Sequence, residues 1–250
     1  MFTTIAYSES QDEAGVMTRM AAVPDQHIKT VGDIITIPHL NQIIGAFAAV
    51  GTLGDEARLI SPSLRRTNPL YITPISNALN VGATPAMHFH PENPIPLTTN
   101  ESLEAENDAD PAAPEQHTIV VWLADGVILP ITGEIFTINA HITLAQVVGS
   151  WEFSEITFPD SLPVADYSIV GARLLVAAGI VFRFVPVGGI NRPGGLVCPS
   201  IQGITSIHQR FGGLGEWLKF NTVQPPGVEL LGSAPVGSAT YELYIDVIKL

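Results

Sequence analysis

The stretch from Glu155 to Gly195 reads EITFPDSLPVADYSIVGARLLVAAGIVFRFVPVGGINRPGG, and the earlier stretch from Asp33 to Pro69 reads DIITIPHLNQIIGAFAAVGTLGDEARLISPSLRRTNP. The two stretches share residues in the same order at a nearly constant offset, close to half of the 250-residue chain. A repeat of this period is the size of a domain. The sequence therefore predicts two related domains, residues 1–126 and 127–250, divided near the turn-like Ala124-Asp125-Gly126. The matched positions are Ile35-Thr36-Ile37-Pro38 with Ile156-Thr157-Phe158-Pro159, Ile44-Gly45-Ala46 with Val170-Gly171-Ala172, Arg58 with Arg183, Pro62 with Pro186, Arg66 with Arg192, and Phe2-Thr3 with Phe136-Thr137.

Both halves carry short runs rich in β-branched residues and bounded by Gly or Pro, a pattern typical of β-strands. In GEIFTINAHITL, residues 133–144, alternation places Ile138, Ala140 and Ile142 on one face and Asn139 and His141 on the other. The 22 Gly and 20 Pro residues disfavour long helices. We therefore expect an all-β chain built as sandwiches or barrels, of which the jelly roll is one kind.

Three segments depart from this strand pattern. Short helices are expected at Asp12–Val23 and near Asn41–Val50, although the second aligns with a strand-like run in the other half. The acidic segment 98–116, TTNESLEAENDADPAAPEQ, contains no aromatic residue and predicts an exposed loop.

The charge balance excludes one large class of function. The net charge is −13, and the first thirty residues carry only Arg19 and Lys29 as cations. Nucleic-acid binding needs Lys and Arg to displace counterions from phosphates, so no direct nucleic-acid partner is expected. Cys198 is the only cysteine, so no intrachain disulfide can form. Neither a signal peptide nor an apolar run long enough for a membrane span is expected from the sequence.

The paired β-rich halves resemble the double jelly-roll major capsid proteins of icosahedral viruses and phages, many of which enclose a membrane. The residues that carry the resemblance are VVWLADG at 120–126, the stretch 158–195 within the later repeat, RFGGLGEWLKFNTVQPPGVELL at 210–231, and the closing YELYIDVIKL. The resemblance covers the second half well, and it reaches the first half mainly through the internal repeat.

The resemblance implies two tandem jelly-roll β-barrels with few short helices, in a structural protein and not an enzyme. It implies a homotrimer that forms a pseudo-hexameric tile of an icosahedral capsid, located in the virion. Penton or minor capsid proteins, and an internal lipid membrane, are the further partners that it implies. No catalytic residue and no cofactor are predicted. Arg66 and Arg192, equivalent in the repeat, are candidates for contacts with carboxylates at domain or subunit interfaces.

A metal-binding enzyme is the first alternative. In GATPAMHFHPE, residues 82–92, His88 and His90 are two residues apart, so both imidazoles on one strand face could bind one metal ion. The spacing is similar to the first metal motif of cupins, which are also jelly rolls. However, the Glu expected four or five residues later and a matching second motif are missing.

A carbohydrate-binding β-sandwich is the second alternative, because Trp122, Trp151 and Trp217 could form a sugar-binding platform. Tryptophans in a β-rich chain more often belong to a core or an interface. The Gly-rich segment GGINRPGG, residues 188–195, lacks the Lys and Ser/Thr of a phosphate-binding loop, so we interpret it as a turn between strands.

Overall fold

The computed structural model describes residues 1–11, 16–25, 28–36, 39–49, 56–64, 70–72, 74–75, 91–108, 114–198 and 209–250. The regular elements of these residues are β-strands, which confirms the predicted all-β class. In chain order the strands are β1 (Phe2–Gln11), β2 (Thr18–Arg19), β3 (Lys29–Val31), β4 (Ile34–Thr36), β5 (Gln42–Ala49), β6 (Glu56–Ile60), β7 (Leu70–Ile72), β8 (Pro74–Ile75), β9 (Ile95–Pro96), β10 (Ser102–Asp108), β11 (Glu115–Ala124), β12 (Phe136–Gln146), β13 (Trp151–Glu155), β14 (Asp166–Leu174), β15 (Gly179–Val185), β16 (Gly194–Leu196), β17 (Leu218–Asn221), β18 (Gly227–Gly232) and β19 (Val236–Lys249).

In the described part of the second half, eight strands pair in a nested order. The first strand pairs with the last, β12 with β19, and the pairing continues inward through β13 with β18, β14 with β17 and β15 with β16. Two four-stranded antiparallel sheets result, in the orders β12-β19-β14-β17 and β13-β18-β15-β16. Eight strands nested into two facing sheets form a jelly roll.

The first half repeats this nesting. Strand β1 pairs with β11, β4 with β10, β5 with β9 and β6 with β7. The additional strands lie at the margins of the same two sheets: β2 pairs with β10, β3 with β4, and β8 with β5. The expected double jelly roll is therefore present in the described strands.

Each ladder between the described strands joins strands of one half only. Pairing in the first half ends at Ala124, and pairing in the second half begins at Phe136. The expected division near Gly126 falls in the segment between them, where Gly126 has a φ of +90°. Such a backbone conformation favours glycine.

The predicted helix at Asn41–Val50 is wrong, because Gln42–Ala49 is strand β5. Its side chains are buried on both sheet faces: Ile43 and Ala46 lie in one apolar cluster, and Ile44 and Phe47 in another. An apolar strand covered on both faces loses the alternation that marks a half-exposed strand. In the other expected helix, Thr18–Arg19 is β2, and residues 12–15 lie outside the described residues.

The predicted loop at 98–116 is also wrong over much of its length. Ser102–Asp108 is β10, which lies inside its sheet between β4 and β6, and β11 begins at Glu115. Leu103 and Ala105 point into the core, while Glu106 on the opposite face pairs with an arginine. A strand whose outer acids are neutralised by neighbouring strands resembles a solvated loop when it is considered alone.

The buried side chains of the described residues form two apolar clusters. One lies between the sheets of the first half and contains Ile5, Tyr7, Leu59, Leu103 and Val121 among others. The second fills the second half and continues into the first, where it includes outward-facing residues of β1, β5 and β11. The two halves are therefore joined by a shared core, which is the feature that positions the site described next.

Candidate functional site at the junction of the two halves

The junction is built on the outer face of the sheet formed by β1, β11 and β5. In β11, Ile119, Val121 and Leu123 point into the first half, while the alternating residues belong to the cluster that fills the second half. The Phe2 ring contacts the Trp217 ring edge-on, at 5.5 Å between centroids. This apolar contact fixes the first half against the second. The outer-face residues of the first half in the shared cluster are Phe2, Ala6, Ile44, Phe47, Ala49, Val120, Trp122 and Ala124.

Hydrogen bonds fix the register of this contact. The Trp122 indole Nε1 donates to the Gly194 carbonyl at 2.9 Å, and the Thr4 amide donates to the Arg192 carbonyl at 2.8 Å. The Arg192 amide in turn donates to Thr3 Oγ1 at 3.1 Å. The Gly-rich segment 188–195 leads from β15 into β16, as predicted for a turn between strands, and it also lies against β1.

Arg183, on the outer face of β15, is the centre of an ion cluster. Its side chain is only 2% exposed. Nε donates to Glu229 Oε2 at 2.6 Å, and Nη1 donates to Asp25 Oδ2 at 2.5 Å and to the Thr4 carbonyl at 3.1 Å. The guanidinium also lies 3.9 Å from the centre of the Trp151 ring. Since Asp25 and Thr4 belong to the first half, one cation joins three elements across the junction.

A cleft of about 350 Å³ opens beside this cluster. Asp25 and Glu229, the two carboxylates in its wall, both accept hydrogen bonds from Arg183. The cleft therefore has a polar wall whose charges are already paired. Its lining residues are Pro24, Asp25, Gly149, Ser150, Trp151, Arg183 and Glu229.

The first half contains the counterpart of this ion pair. Arg58 on β6 lies directly opposite Glu106 on β10, as Arg183 on β15 lies opposite Glu229 on β18. Arg58 Nε and Nη2 lie 2.8 and 2.6 Å from Glu106 Oε2. The sequence repeat matched the two arginines but missed their carboxylate partners. The signal was available, because Glu106 and Glu229 differ by 123 positions.

A more exposed charge cluster lies on the same face of the first half. Arg19 Nη1 lies 3.1 Å from Asp33 Oδ2, and Arg19 Nη2 lies 2.9 Å from Glu104 Oε2. Arg19 is 47% exposed, in contrast to buried Arg183. The equivalent faces of the two halves thus differ: one is covered by the other half, and the other is open to solvent at Arg19.

Arg192 lies at the junction. It is buried, and its Nη1 donates to the carbonyls of Gly189 at 2.7 Å and Asn191 at 3.3 Å. Burial lowers the pKa of its guanidinium, an effect that nearby Glu229 and Asp25 oppose. The predicted equivalent, Arg66, lies outside the described residues. The correspondence between Arg66 and Arg192 therefore stays a prediction.

The alternative metal residues, His88 and His90, also lie outside the described residues. Within the described part of the chain, no group of three or more His, Cys, Asp or Glu side chains is arranged to hold a metal ion. Cys198 is buried, and Arg173 Nη2 lies 3.6 Å from its sulfur.

The three tryptophans do not share an exposed surface. Trp122 and Trp217 are each 1% exposed, and Trp151 lies beneath Arg183. They serve the junction and the core of the second half, as the core or interface interpretation of their role predicts.

A buried polar group lies inside the first half, away from the junction. His117 on β11 is fully buried, with Nδ1 2.8 Å from Asn107 Nδ2, and its Nε2 has no partner among the described residues. Burial lowers the pKa of His117, because the charged imidazolium would lose its hydration. The neutral imidazole is therefore the form that the fold accommodates.

Comparisons with known proteins add little. No family model matches the chain, and no curated protein matches it. Among solved structures, the chain is similar to the major capsid protein P2 from Bacteriophage PM2, at 7% identity and a TM-score of 0.23, over 100% of this chain and 97% of that one. None of the described residues forms a helix long and apolar enough to cross a membrane.

Proposed function

We propose that the chain is the major capsid protein of an icosahedral virus or phage, with residues 1–126 and 127–250 as its two domains. Three copies form a pseudo-hexameric tile, and tiles assemble the shell of the virion. In this proposal the protein is a structural component and performs no catalysis.

The observation that carries the proposal is the double jelly roll with a buried junction. Two barrels of the same strand nesting are joined by a shared apolar cluster and by Arg183, which donates hydrogen bonds to Asp25, Thr4 and Glu229. Breaking such a junction would expose apolar surface and leave buried charges without partners, so the two barrels move as one block. A rigid block with two similar barrels gives a trimer six similar units, which suits a six-sided tile.

The composition supports the same function. Only 14% of residues are charged. This is a small fraction for a monomer, whose charged side chains almost all face water. Closed symmetric assembly buries surface of every copy with the same contacts. The net charge of −13 argues against direct packaging of the genome. As the resemblance to double jelly-roll capsid proteins implies, the proposal adds penton or minor capsid proteins, and a lipid membrane inside the shell, as partners besides self-assembly.

The test is the mass and shape of the purified protein. Size-exclusion chromatography with multi-angle light scattering should give three times the 26.7 kDa chain mass, or larger shells. Negative-stain electron microscopy should show tiles of six-sided outline. A protein that stays at the mass of one chain over the full soluble concentration range, without tiles on the grid, would contradict the proposal.

A further inference from the structure

The junction inside the chain uses one face of each barrel. The first barrel contributes the outer face of β1, β11 and β5, and the second contributes β15, β16, the turn between them and Trp217. At the centre of the contact, Arg183 donates to the Thr4 carbonyl, and β1 lies in contact with β16. Within the described residues, this junction does not use the outer face of β12, β19 and β14 in the second barrel or the edge formed by β6 and β7 in the first.

The strand registers identify the equivalent positions on those remaining faces. Thr4 lies opposite Trp122, which lies opposite Gly45; Thr137 lies opposite Asp246, which lies opposite Gly171. Thr137 of the second barrel therefore corresponds to Thr4.

The other side of the contact has an equivalent as well. Arg58, opposite Glu106, corresponds to Arg183, opposite Glu229, and Tyr71 on β7 corresponds to Gly194 on β16, because each lies opposite its arginine. The edge formed by β6 and β7 thus corresponds to the edge on which the first barrel rests.

Among the described residues, the outer face of β12, β19 and β14 in the second barrel carries an exposed aromatic side chain. Phe211 is 59% exposed and has a φ of +51°, a left-handed conformation that is costly for a phenylalanine. Its amide donates to Asp246 Oδ2 at 3.1 Å, and the Arg210 guanidinium lies 4.5 Å from its ring centre. The fold thus holds an apolar ring in solvent at an energetic cost, a feature that is common at binding sites.

Neighbouring contacts fix Phe211 on this face. Gly212 donates its amide to the carbonyl of Val170 on β14 at 2.7 Å and accepts the amide of Ile131 at 2.9 Å. Leu129, on the same stretch as Ile131, is 69% exposed. Hydrogen bonds of the residue next to Phe211 thus tie it to β14 and to the segment that carries Leu129.

We propose that this face of β12, β19 and β14, with Phe211 as its anchor, docks on the edge formed by β6 and β7 in a second copy of the chain. The contact repeats the junction inside the chain, with Thr137 of one copy in the place of Thr4 and Arg58 of the next in the place of Arg183. This inference rests on the proposed function, since it specifies how the copies of the tile meet.

The contact is head-to-tail, because it joins the second barrel of one copy to the first barrel of the next. Such a contact closes into a ring when the rotation between copies is suitable. Around such a ring, junctions within a chain alternate with contacts between copies. Because both have the same geometry, every barrel meets its neighbours in the same way. Arg58 and the exposed Arg19 of the first barrel also supply cations that an aromatic anchor can contact.

The first test compares two exposed phenylalanines of the second barrel. Phe153 on β13 is 54% exposed but belongs to the other sheet, and it serves as the matched control. Phe211→Ala should weaken self-association about 30-fold, as expected for an aromatic hot spot. Phe153→Ala should leave the association constant within about threefold. Sedimentation across a dilution series measures both, and thermal unfolding of the diluted monomers checks that each variant is folded.

The second test locates the contact directly. A Thr137→Cys chain and a Tyr71→Cys chain, carrying different tags, are co-expressed and treated with a short bismaleimide. A cross-linked pair containing both tags is expected, whereas either variant alone and the wild type with its buried Cys198 should give none.

The outcomes separate this inference from the proposed function. A wild-type trimer that gives no mixed cross-link, and in which Phe211→Ala associates like the wild type, overturns the docking geometry and leaves the capsid proposal standing. A wild type that remains monomeric at every concentration overturns both.

Discussion

Gly45 and Gly171 each follow a one-residue β-bulge at the same point of the two barrels. Gly45 pairs with Trp122, and the register skips Ile44; Gly171 pairs with Asp246, and the register skips Val170. A bulge interrupts the ladder at one defined residue, so two unrelated barrels would rarely share its strand and position. The internal repeat therefore extends from the sequence to the strand geometry.

The bulge in the second barrel has a consequence for stability. It leaves the Val170 carbonyl available to the Gly212 amide, and the backbone of Arg210 and Phe211 lies close over Gly171. A Cβ on Gly171 would lie 2.9 Å from both Arg210 Cα and the Phe211 nitrogen, which are backbone atoms that cannot rotate away. Gly171→Ala should therefore destabilise the protein by about 1–3 kcal/mol, the usual cost of overpacking.

Urea denaturation of the two proteins gives this difference in the free energy of unfolding. Gly237→Ala is the control, because no atom lies within 4 Å of the Cβ it would add. A Gly171→Ala midpoint equal to that of the wild type would show that the segment over Gly171 can shift without cost.

Removal of the cation at the junction should be more damaging. Arg183→Met leaves Asp25 and Glu229 as neighbouring carboxylates, of which Asp25 is 3% exposed. Breaking a buried ion pair costs about 3–5 kcal/mol, because a charge stays buried without a partner. The exposed pair Lys219–Glu216 is the control, and Lys219→Met should cost less than about 1 kcal/mol. Equal losses in the two variants would mean that Arg183 does not hold the junction.

The sequence predicted the parts of the fold that recur along the chain. The match of Ile35 to Ile156, at an offset of 121, agrees with the strand registers. Ile35 pairs with Leu103. If the β13–β18 ladder is extended by one residue, Ile156 lies opposite the residue that corresponds to Leu103. The match of Phe2 to Phe136 is displaced by one residue, because the registers equate Thr4 with Thr137. Offsets set by bulges and loops cannot be read from composition alone.

The junction was not predictable in the same way. Asp25, Thr4 and Arg183 lie far apart in the sequence, and their meeting depends on how one barrel rests on the other. The buried strand β5 was confused with a helix for a related reason, since tertiary burial on both faces removed its period of two.

The two buried tryptophans allow a hydrogen bond across the junction to be measured. Trp122 Nε1 donates to the Gly194 carbonyl, whereas Trp217 Nε1 has no partner among the described residues. Both substitutions to Phe remove a similar volume, but only Trp122→Phe removes this bond. It should cost about 1–2 kcal/mol more than Trp217→Phe, which is the usual penalty for leaving a buried carbonyl unpaired. Parallel denaturation curves of both variants provide the comparison, and a smaller loss for Trp122→Phe would contradict it.

The buried imidazole of His117 should make the first barrel sensitive to mild acid. Burial lowers the pKa of His117, so the unfolded chain binds this proton more strongly than the folded chain. Protonation of His117 does not lower stability at pH values above the pKa in the unfolded chain, which is near 6.5. As the pH falls from there towards the folded pKa, it lowers the free energy of unfolding with a slope of at most about 1.4 kcal/mol per pH unit. His117→Gln should flatten the free energy of unfolding between pH 7 and 5, because an amide occupies the site without titrating. If the wild type and His117→Gln lose stability in parallel over this range, another group is responsible for the acid sensitivity.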